Sequence, residues 1–92
     1  MYIEFDATKN QANIATRSLS FEQAADFDFD TASFAQDTRK DYPEERFVAV
    51  GFLGSRLHVL CFTPMAGGIR VISFRKANAR EIKDYDKTRT TD

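Results

Sequence analysis

The fold is decided by residues 46–76, which read RFVAVGFL-GS-RLHVLCFT-PMAGG-IRVISFRK. Short turn signals divide this stretch into three apolar runs: Arg46–Leu53, Arg56–Thr63 and Ile69–Arg75. Because Gly54-Ser55 and the segment from Pro64 to Gly68 leave room only for short connections, the runs predict a three-strand antiparallel meander. Several positions are apolar on both sides of the strand alternation, so we expect the central strands to be covered on both faces.

The residues before the meander predict one strand and two short helices. Residues 2–5 alternate weakly, which is typical of a short strand. Asp6 is suited to cap a helix that runs to about residue 15, with Ala12 and Ile14 on its apolar side. The sequence Ser20-Phe21-Glu22-Gln23 fits a capping box and predicts a second helix over about residues 21–27. The side chains expected to be buried by this second helix are Phe21, Ala24 and Ala25.

The remaining segments complete an α+β layout. Residues 32–35 predict a further short strand inside an acidic, turn-rich segment. Asn78–Glu81 forms a second capping-box sequence that opens a helix to about residue 85. We expect residues 87–92 to form a flexible tail of a single domain, 1–92. Helices packed on a mostly antiparallel sheet are expected to form this domain, with the last helix at its C-terminal end.

The composition is that of an ordinary globular domain. Hydrophobic residues make up 42% of the 92 residues and charged residues 29%. No apolar run approaches the roughly 20 residues of a membrane span, and the N-terminus lacks the basic flank of a secretory signal. Cys61 is the only cysteine and lies among apolar residues, which fits a reducing compartment. We therefore expect a cytoplasmic protein without membrane contact.

The net charge of −1 is unevenly distributed. Residues 1–45 carry ten acidic and four basic side chains, whereas residues 46–92 carry nine basic and four acidic ones. Such asymmetry can mark a nucleic-acid contact on the basic half, and it is also typical of a mixed, solvated surface. Charge alone leaves both interpretations open.

Cations recur at the ends of the meander strands: Arg46, Arg56, Arg70, Arg75 and Lys76. The planar guanidinium fork matches phosphate oxygens, and such groups can stabilise the extra negative charge of a phosphoryl transition state. Basic residues at strand ends are also common as solvated groups that discourage edge pairing. This second interpretation is favoured for Arg56.

Two further groups can carry acid–base chemistry. The sequence Glu44-Glu45-Arg46 places carboxylates at the entry to a strand, where they can act as a general base on a ribose hydroxyl or form a surface salt-bridge cluster. His58, the only histidine, can act as an acid–base group or as a structural residue on an apolar strand. One histidine and one cysteine provide no zinc spacing, and no metal or cofactor is expected.

Several short motifs follow one another in a fixed order between residues 3 and 85. They are Phe5-Asp6 with Lys9 and Asn13, LSFEQA at 19–24, EERF at 44–47 followed by Gly51, IRVISFRKA at 69–77, and Glu81 with Tyr85. In this order the motifs resemble the BrnT family, and the block at 69–77 is the most specific of them.

The resemblance implies a RelE-like fold and a ribonuclease toxin of a type II toxin–antitoxin system that halts translation. It also implies a partner, the BrnA antitoxin with its ribbon-helix-helix domain, so that DNA is contacted only through the antitoxin. The charged residues that match the family pattern are Lys9, Glu45, Arg46, Arg70, Arg75 and Lys76.

The resulting hypothesis is metal-independent cleavage of RNA by its own 2′-hydroxyl. Arg70, Arg75 and Lys76 are expected to hold the scissile phosphate, and Glu45 or His58 is expected to accept the proton. The residues predicted to be catalytic are Glu45, Arg46, Arg70, Arg75 and Lys76. Those predicted to bind RNA are Lys9, Arg56, His58 and Arg80. The alternative is a non-enzymatic module that docks a protein partner on a basic sheet edge.

Overall fold

A computed structural model describes residues 1–89 of the chain, of which Arg89 is described only as part of its helix. The elements in chain order are β1 (Tyr2–Glu4), α1 (Ala7–Arg17), a 3₁₀ helix (Phe21–Asp26), β2 (Ser33–Gln36), β3 (Phe47–Leu53), β4 (Arg56–Met65), β5 (Gly68–Lys76) and α2 (Ala79–Arg89). The strands form one five-stranded sheet in the order β1-β5-β4-β3-β2. The predicted α+β class is confirmed, and the layout is compatible with the RelE-like fold that the resemblance implies.

The meander is confirmed, with two local differences from the prediction. Gly54 and Gly67 adopt positive φ values of 63° and 76° in the two turns, a conformation that glycine adopts without steric cost. Pro64 lies inside β4 and not in the turn, beyond the last residue of β4 that pairs with β3, where a missing N–H costs no bond to β3. Ile72 is an extra residue in β5, because Cys61 pairs with Ser73 while Phe62 pairs with Val71.

β1 pairs in parallel with β5 and forms one edge of the sheet. This contact requires glycine at position 68, because a Cβ there would lie 1.8 Å from the carbonyl oxygen of Tyr2. The N-terminal strand therefore covers the outer side of β5. The expectation of a basic sheet edge is wrong, because the cation-bearing strand β5 lies inside the sheet.

The central strand β4 is buried on both faces of the sheet, as predicted. On the first face, Leu60 and Phe74 pack against the 3₁₀ helix and its flanking residues, including Phe21 and Phe27. On the second face, Leu57 and Val59 pack against Tyr85 of α2. The hydroxyl group of Tyr85 also donates a 2.8 Å hydrogen bond to Thr31 O, which fixes α2 to the loop before β2.

α1 attaches to the domain through asparagines and not through an apolar face. Asp6 caps the helix as predicted, since its carboxylate accepts from Lys9 N at 2.9 Å. Ala12 is exposed and Ile14 is 39% exposed, so the expectation that they form a buried side is wrong. The buried residues of α1 are instead Asn10 and Asn13.

Both asparagines bond to the backbone of other elements. Asn10 Oδ1 accepts from Phe21 N at 2.8 Å, which joins α1 to the start of the 3₁₀ helix. Asn13 Nδ2 donates to Leu19 O and to Phe74 O, each at 2.9 Å. One side chain thus bridges the end of α1, the loop that follows it and strand β5.

Both capping boxes form as predicted. Ser20 and Gln23 bond reciprocally at the start of the 3₁₀ helix, although Ala25 of this helix is exposed and not buried. Asn78 Oδ1 accepts from Glu81 N at 2.8 Å, and Glu81 Oε1 accepts from Asn78 N at 2.9 Å. α2 continues to Arg89, so residues 87–89 are helical, and the rest of the expected tail, residues 90–92, lies outside the described residues.

Replacing Asn13 by alanine is expected to lower the free energy of unfolding by about 1–3 kcal/mol, because two buried carbonyl groups lose their donor. Gln11→Ala on the exposed side of the same helix is the matched control, with an expected change of less than about 0.5 kcal/mol. Urea denaturation measures both values. Equal effects of the two substitutions would contradict this attachment of α1.

Glu81→Gln is expected to lower the free energy of unfolding by about 0.5–1 kcal/mol at neutral pH. The glutamine keeps the cap but loses the ion pair with Arg75, whose guanidinium holds the pKa of Glu81 below its ordinary value of 4.5. A lowered pKa means that the pair stabilises the fold fully above 4.5 and is lost as the pH falls through the lowered value.

The difference between wild type and Glu81→Gln should therefore shrink on acidification, which denaturation at a series of pH values measures. A difference that stays constant down to about pH 3 would refute this contribution of the ion pair.

Candidate functional site

The second face of the sheet is only partly covered by α2, and the uncovered part forms a groove of about 560 Å³. The walls of the groove are residues 36–39, strands β3 to β5 and the first turn of α2. Its charged and polar lining side chains include Asp37, Arg39, Arg46, Cys61, Ser73, Arg75 and Glu81. We call this concavity the Arg46–Arg75 groove.

Arg75 is held rigidly at one end of the groove. Its Nη1 and Nη2 donate to the two carboxylate oxygens of Glu81, each at 2.8 Å. A third contact runs from Nη1 to Lys76 O at 3.3 Å. Because a guanidinium has five N–H donors, these contacts orient the group while leaving donors for a ligand.

Arg46 lies at the other end of the groove, at the entry to β3. Its Cζ atom is 4.1 Å from the centroid of the Tyr42 ring, a cation–π distance that fixes the guanidinium plane. Its Nε atom is buried and has no hydrogen-bond partner within the described part of the chain. Buried donors of this kind are rare in folded proteins, and an acceptor from a ligand would satisfy one.

Asp37 and Arg39 form the rim of the groove beside Arg46. The side chain of Asp37 is 1% exposed and that of Arg39 is 79% exposed. Arg39 donates to the Asp37 carboxylate from its backbone N, Nε and Nη2. These hydrogen bonds hold the pKa of Asp37 at about 2, so this carboxylate stays ionised and serves to anchor Arg39.

Glu45 lies in a neighbouring hollow of about 570 Å³, formed by residues 36–46. Arg46 lines both this hollow and the groove. Glu45 is exposed, and within residues 1–89 it forms no ion pair. Glu44, by contrast, binds Arg70 at 3.2 Å.

Arg70 shares the sheet face of Arg75 but does not line the groove. It is held between Glu4 at 2.9 Å and Glu44 at 3.2 Å, which neutralise its charge. Arg70 pairs with Thr63 and Arg75 with Val59, so the two arginines are four β4 residues apart, about 13 Å along the strand. The expectation that they hold one phosphate together is therefore wrong. Through Glu44, Arg70 instead anchors the segment that carries Glu45 and Arg46.

Lys76 and His58 lie on the opposite face from the groove. They are direct partners in the β4–β5 ladder, next to the Leu60–Phe74 pair of the first core. The prediction that Lys76 and Arg75 hold the scissile phosphate together is therefore wrong, because their side chains lie on opposite faces of the sheet.

His58 is 4% exposed, bonds through Nδ1 to Arg56 O at 2.8 Å and packs on Phe74. Its predicted roles in RNA binding and proton transfer are wrong, because its ring is enclosed.

The other predicted RNA-binding residues are exposed but do not line the groove. Lys9 lies on α1, Arg56 begins β4 and donates to Ala77 O at 3.3 Å, and Arg80 lies in the first turn of α2. They remain predicted contacts for a longer RNA. None of these three residues contributes to the lining of the groove.

The described residues contain no group of three or more His, Cys, Asp or Glu side chains placed to hold a metal ion. Cys61 lies in the floor of the groove, where burial raises the pKa of its thiol, so it is not a reactive thiolate at neutral pH.

Three residues in or beside the groove were missed by the sequence reasoning. Asp37, Arg39 and Tyr42 lie in the loop between β2 and β3, which the sequence marks only as acidic and turn-like. Glu81 was identified as a cap, but its second role as the partner of Arg75 depends on how α2 docks on β5. No local pattern encodes either contact.

Within residues 1–89, none of the three helices has the length and hydropathy that a membrane crossing requires. A search of curated proteins finds no match to the chain. Residues 5–81 match the family described as the ribonuclease toxin, BrnT, of type II toxin-antitoxin systems. Membership in a type II system implies an antitoxin partner. Because the match covers most of the chain, including β2 to β5, Arg46, Arg75 and Glu81, the chain belongs to the BrnT family of ribonuclease toxins.

Proposed function

We propose that this protein cleaves RNA in the Arg46–Arg75 groove and thereby inhibits translation in the cytoplasm, under the control of a BrnA-like ribbon-helix-helix antitoxin that alone contacts DNA. The observation that carries the proposal is the pair of oriented guanidinium groups in one open groove. Each group is held by a neighbouring side chain and retains unused N–H donors. Oriented donors of this kind stabilise developing phosphoryl charge without reorganising.

The size of the groove fits a nucleotide better than a single phosphate. Arg46 and Arg75 lie on strand rows about 13 Å apart, as judged from the pairing of Val50 with Val59 and of Val59 with Arg75. We therefore assign the scissile phosphate to the Arg46 end, where Arg39 stands at the rim, and a neighbouring phosphate to Arg75.

Glu45 is the best candidate for the proton acceptor. The two carboxylates inside the groove, Asp37 and Glu81, are each bound by an arginine that lowers the carboxyl pKa, which makes them weak bases. Glu44 is engaged with Arg70. Glu45 adjoins Arg46 in sequence, is exposed and can approach a ribose at this end of the groove.

The proposed reaction needs no metal ion. The ribose 2′-oxygen attacks the adjacent phosphorus, and its proton passes to Glu45. The bond from phosphorus to the 5′-oxygen of the next nucleotide breaks, and this oxygen takes a proton from water. The products are a 2′,3′-cyclic phosphate and a 5′-hydroxyl end, while Arg46 balances the charge that builds up on the phosphoryl oxygens.

Arg46→Gln is expected to lower the cleavage rate of a labelled single-stranded RNA by about 100- to 1000-fold in the presence of EDTA, because one charge-stabilising donor is lost. Lys83→Gln is the matched control, since Lys83 is an exposed cation of α2 that does not line the groove. It is expected to change the rate by less than about threefold. Gel analysis of the products measures both rates.

Two outcomes would contradict this assignment of the site. One is a folded Arg46→Gln protein that cleaves as fast as the Lys83→Gln control. The other is wild-type cleavage of an RNA whose scissile nucleotide lacks its 2′-hydroxyl, because the proposed nucleophile is then missing.

Glu45→Gln is expected to lower the cleavage rate by about 100-fold or more, because the amide cannot accept the proton of the 2′-hydroxyl. Glu22→Gln, an exposed glutamate in the 3₁₀ helix, is the control and should retain the wild-type rate. The measurement is the single-turnover rate of each protein. A wild-type rate in a folded Glu45→Gln protein would exclude Glu45 as the base.

A further inference from the structure

β2 forms an open edge of the sheet. Within the described residues it pairs with β3 on one side and with no strand on the other. Its sequence, Ser33-Phe34-Ala35-Gln36, contains no charged residue and no proline. Charges and prolines are the usual means of protecting an edge from pairing, and this edge has neither within its four residues.

The backbone groups that face outward can be identified from the ladder. Asp37 N donates to Arg46 O at 2.8 Å, so this pair is one of the hydrogen-bonded pairs of the β2–β3 ladder. Hydrogen-bonded pairs alternate along an antiparallel ladder. Ser33 and Ala35 therefore also bond to β3, whereas the N–H and C=O groups of Phe34 and Gln36 point away from the sheet.

An exposed aromatic surface lies beside these free backbone groups. Phe34 is 49% exposed. Its ring is nearly parallel to that of Phe29 and meets the buried ring of Phe62 edge-on, with centroid distances of 6.4 Å in both cases. Phe34 thus extends the first core out to the edge of the sheet, where one more apolar side chain would cover it.

The segment that leads into this edge is acidic, and Asp37, which directly follows β2, is bound by Arg39. Residues 18–38, which include β2, contain no lysine and no arginine. Their five acidic residues are Glu22, Asp26, Asp28, Asp30 and Asp37. A second copy of the chain would bring two such segments together, whereas a basic partner would be attracted to this edge.

We propose that the β2 edge binds an extended, basic segment of a protein partner as a sixth strand, with an apolar residue of that segment over Phe34. Because a type II toxin has an antitoxin partner, the segment would belong to the antitoxin. The proposal concerns where the partner binds, and it does not depend on the cleavage of RNA.

The probe is a short peptide of alternating lysine and valine, with a glutamate–valine peptide of equal length as the control. Nuclear magnetic resonance of the full chain measures amide exchange in β2. The lysine peptide is expected to slow exchange at Phe34 and Gln36, while Ser33 and Ala35, which already bond to β3, change little. The glutamate peptide is expected to bind at least about tenfold more weakly.

Gln36→Pro removes one outward N–H and should weaken binding of the lysine peptide at least about tenfold, whereas Gln36→Ala keeps that N–H and should bind like wild type. Phe34→Ser tests the apolar contact with all backbone groups intact, and it should also weaken binding. Circular dichroism confirms that each variant is folded.

Three results would overturn the proposal: equal binding of the two peptides, unchanged exchange at Phe34 and Gln36, or protection of these amides in the free chain together with sedimentation as a dimer. The last result would assign the edge to a second copy. An RNA cleavage assay on the same samples tests the ribonuclease proposal separately.

Discussion

The burial of β4 on both faces is the constraint on which the rest of the structure depends. Seven consecutive residues of this strand, 57–63, are buried, so each face of the sheet requires a cover. The 3₁₀ helix and its flanking phenylalanines cover the first face, and α2 covers the second. α2 has only eleven described residues and meets the sheet near Tyr85, so the far part of the second face stays open. The groove is the part of the second face that α2 leaves uncovered.

Ion pairs neutralise part of the charge difference between the two halves. Glu4 and Glu44 from the acidic half hold Arg70 from the basic half, whereas Arg75 is held by Glu81 within the basic half. These pairs leave two surfaces of opposite character, an arginine-lined groove on the second face and an acidic stretch around β2. A charge difference along the sequence thus becomes a charge difference across the molecule, and net charge alone does not reveal it.

The sequence predicted the features that depend on neighbouring residues, such as turns and helix caps. It did not predict the features that depend on the pairing register of the strands. Turn glycines, both capping boxes and the three apolar runs predicted the meander and most element ends. Simple alternation places residues five apart, such as Arg70 and Arg75, on opposite faces of a strand. The extra residue Ile72 reverses this relation, so that Arg75 joins the face of Arg70 while Lys76 moves to the other. No residue type marks such a bulge in advance, and the docking of α1 through Asn10 and Asn13 likewise depends on distant carbonyl groups.

The two proposed surfaces meet at the end of β2. Gln36 ends this strand and also lines the groove, and the next residue, Asp37, anchors Arg39 at the groove rim. A partner segment that continues beyond Gln36 along the edge would reach the loop that carries Tyr42 and Glu45. Among the described residues, this loop is held by the stacking of Tyr42 on Arg46, by the bonds of Arg39 and Tyr42 to Asp37 and by the bond of Glu44 to Arg70. Because the same loop carries the proposed base, a partner segment that extended over it would cover Glu45 as well as the β2 edge.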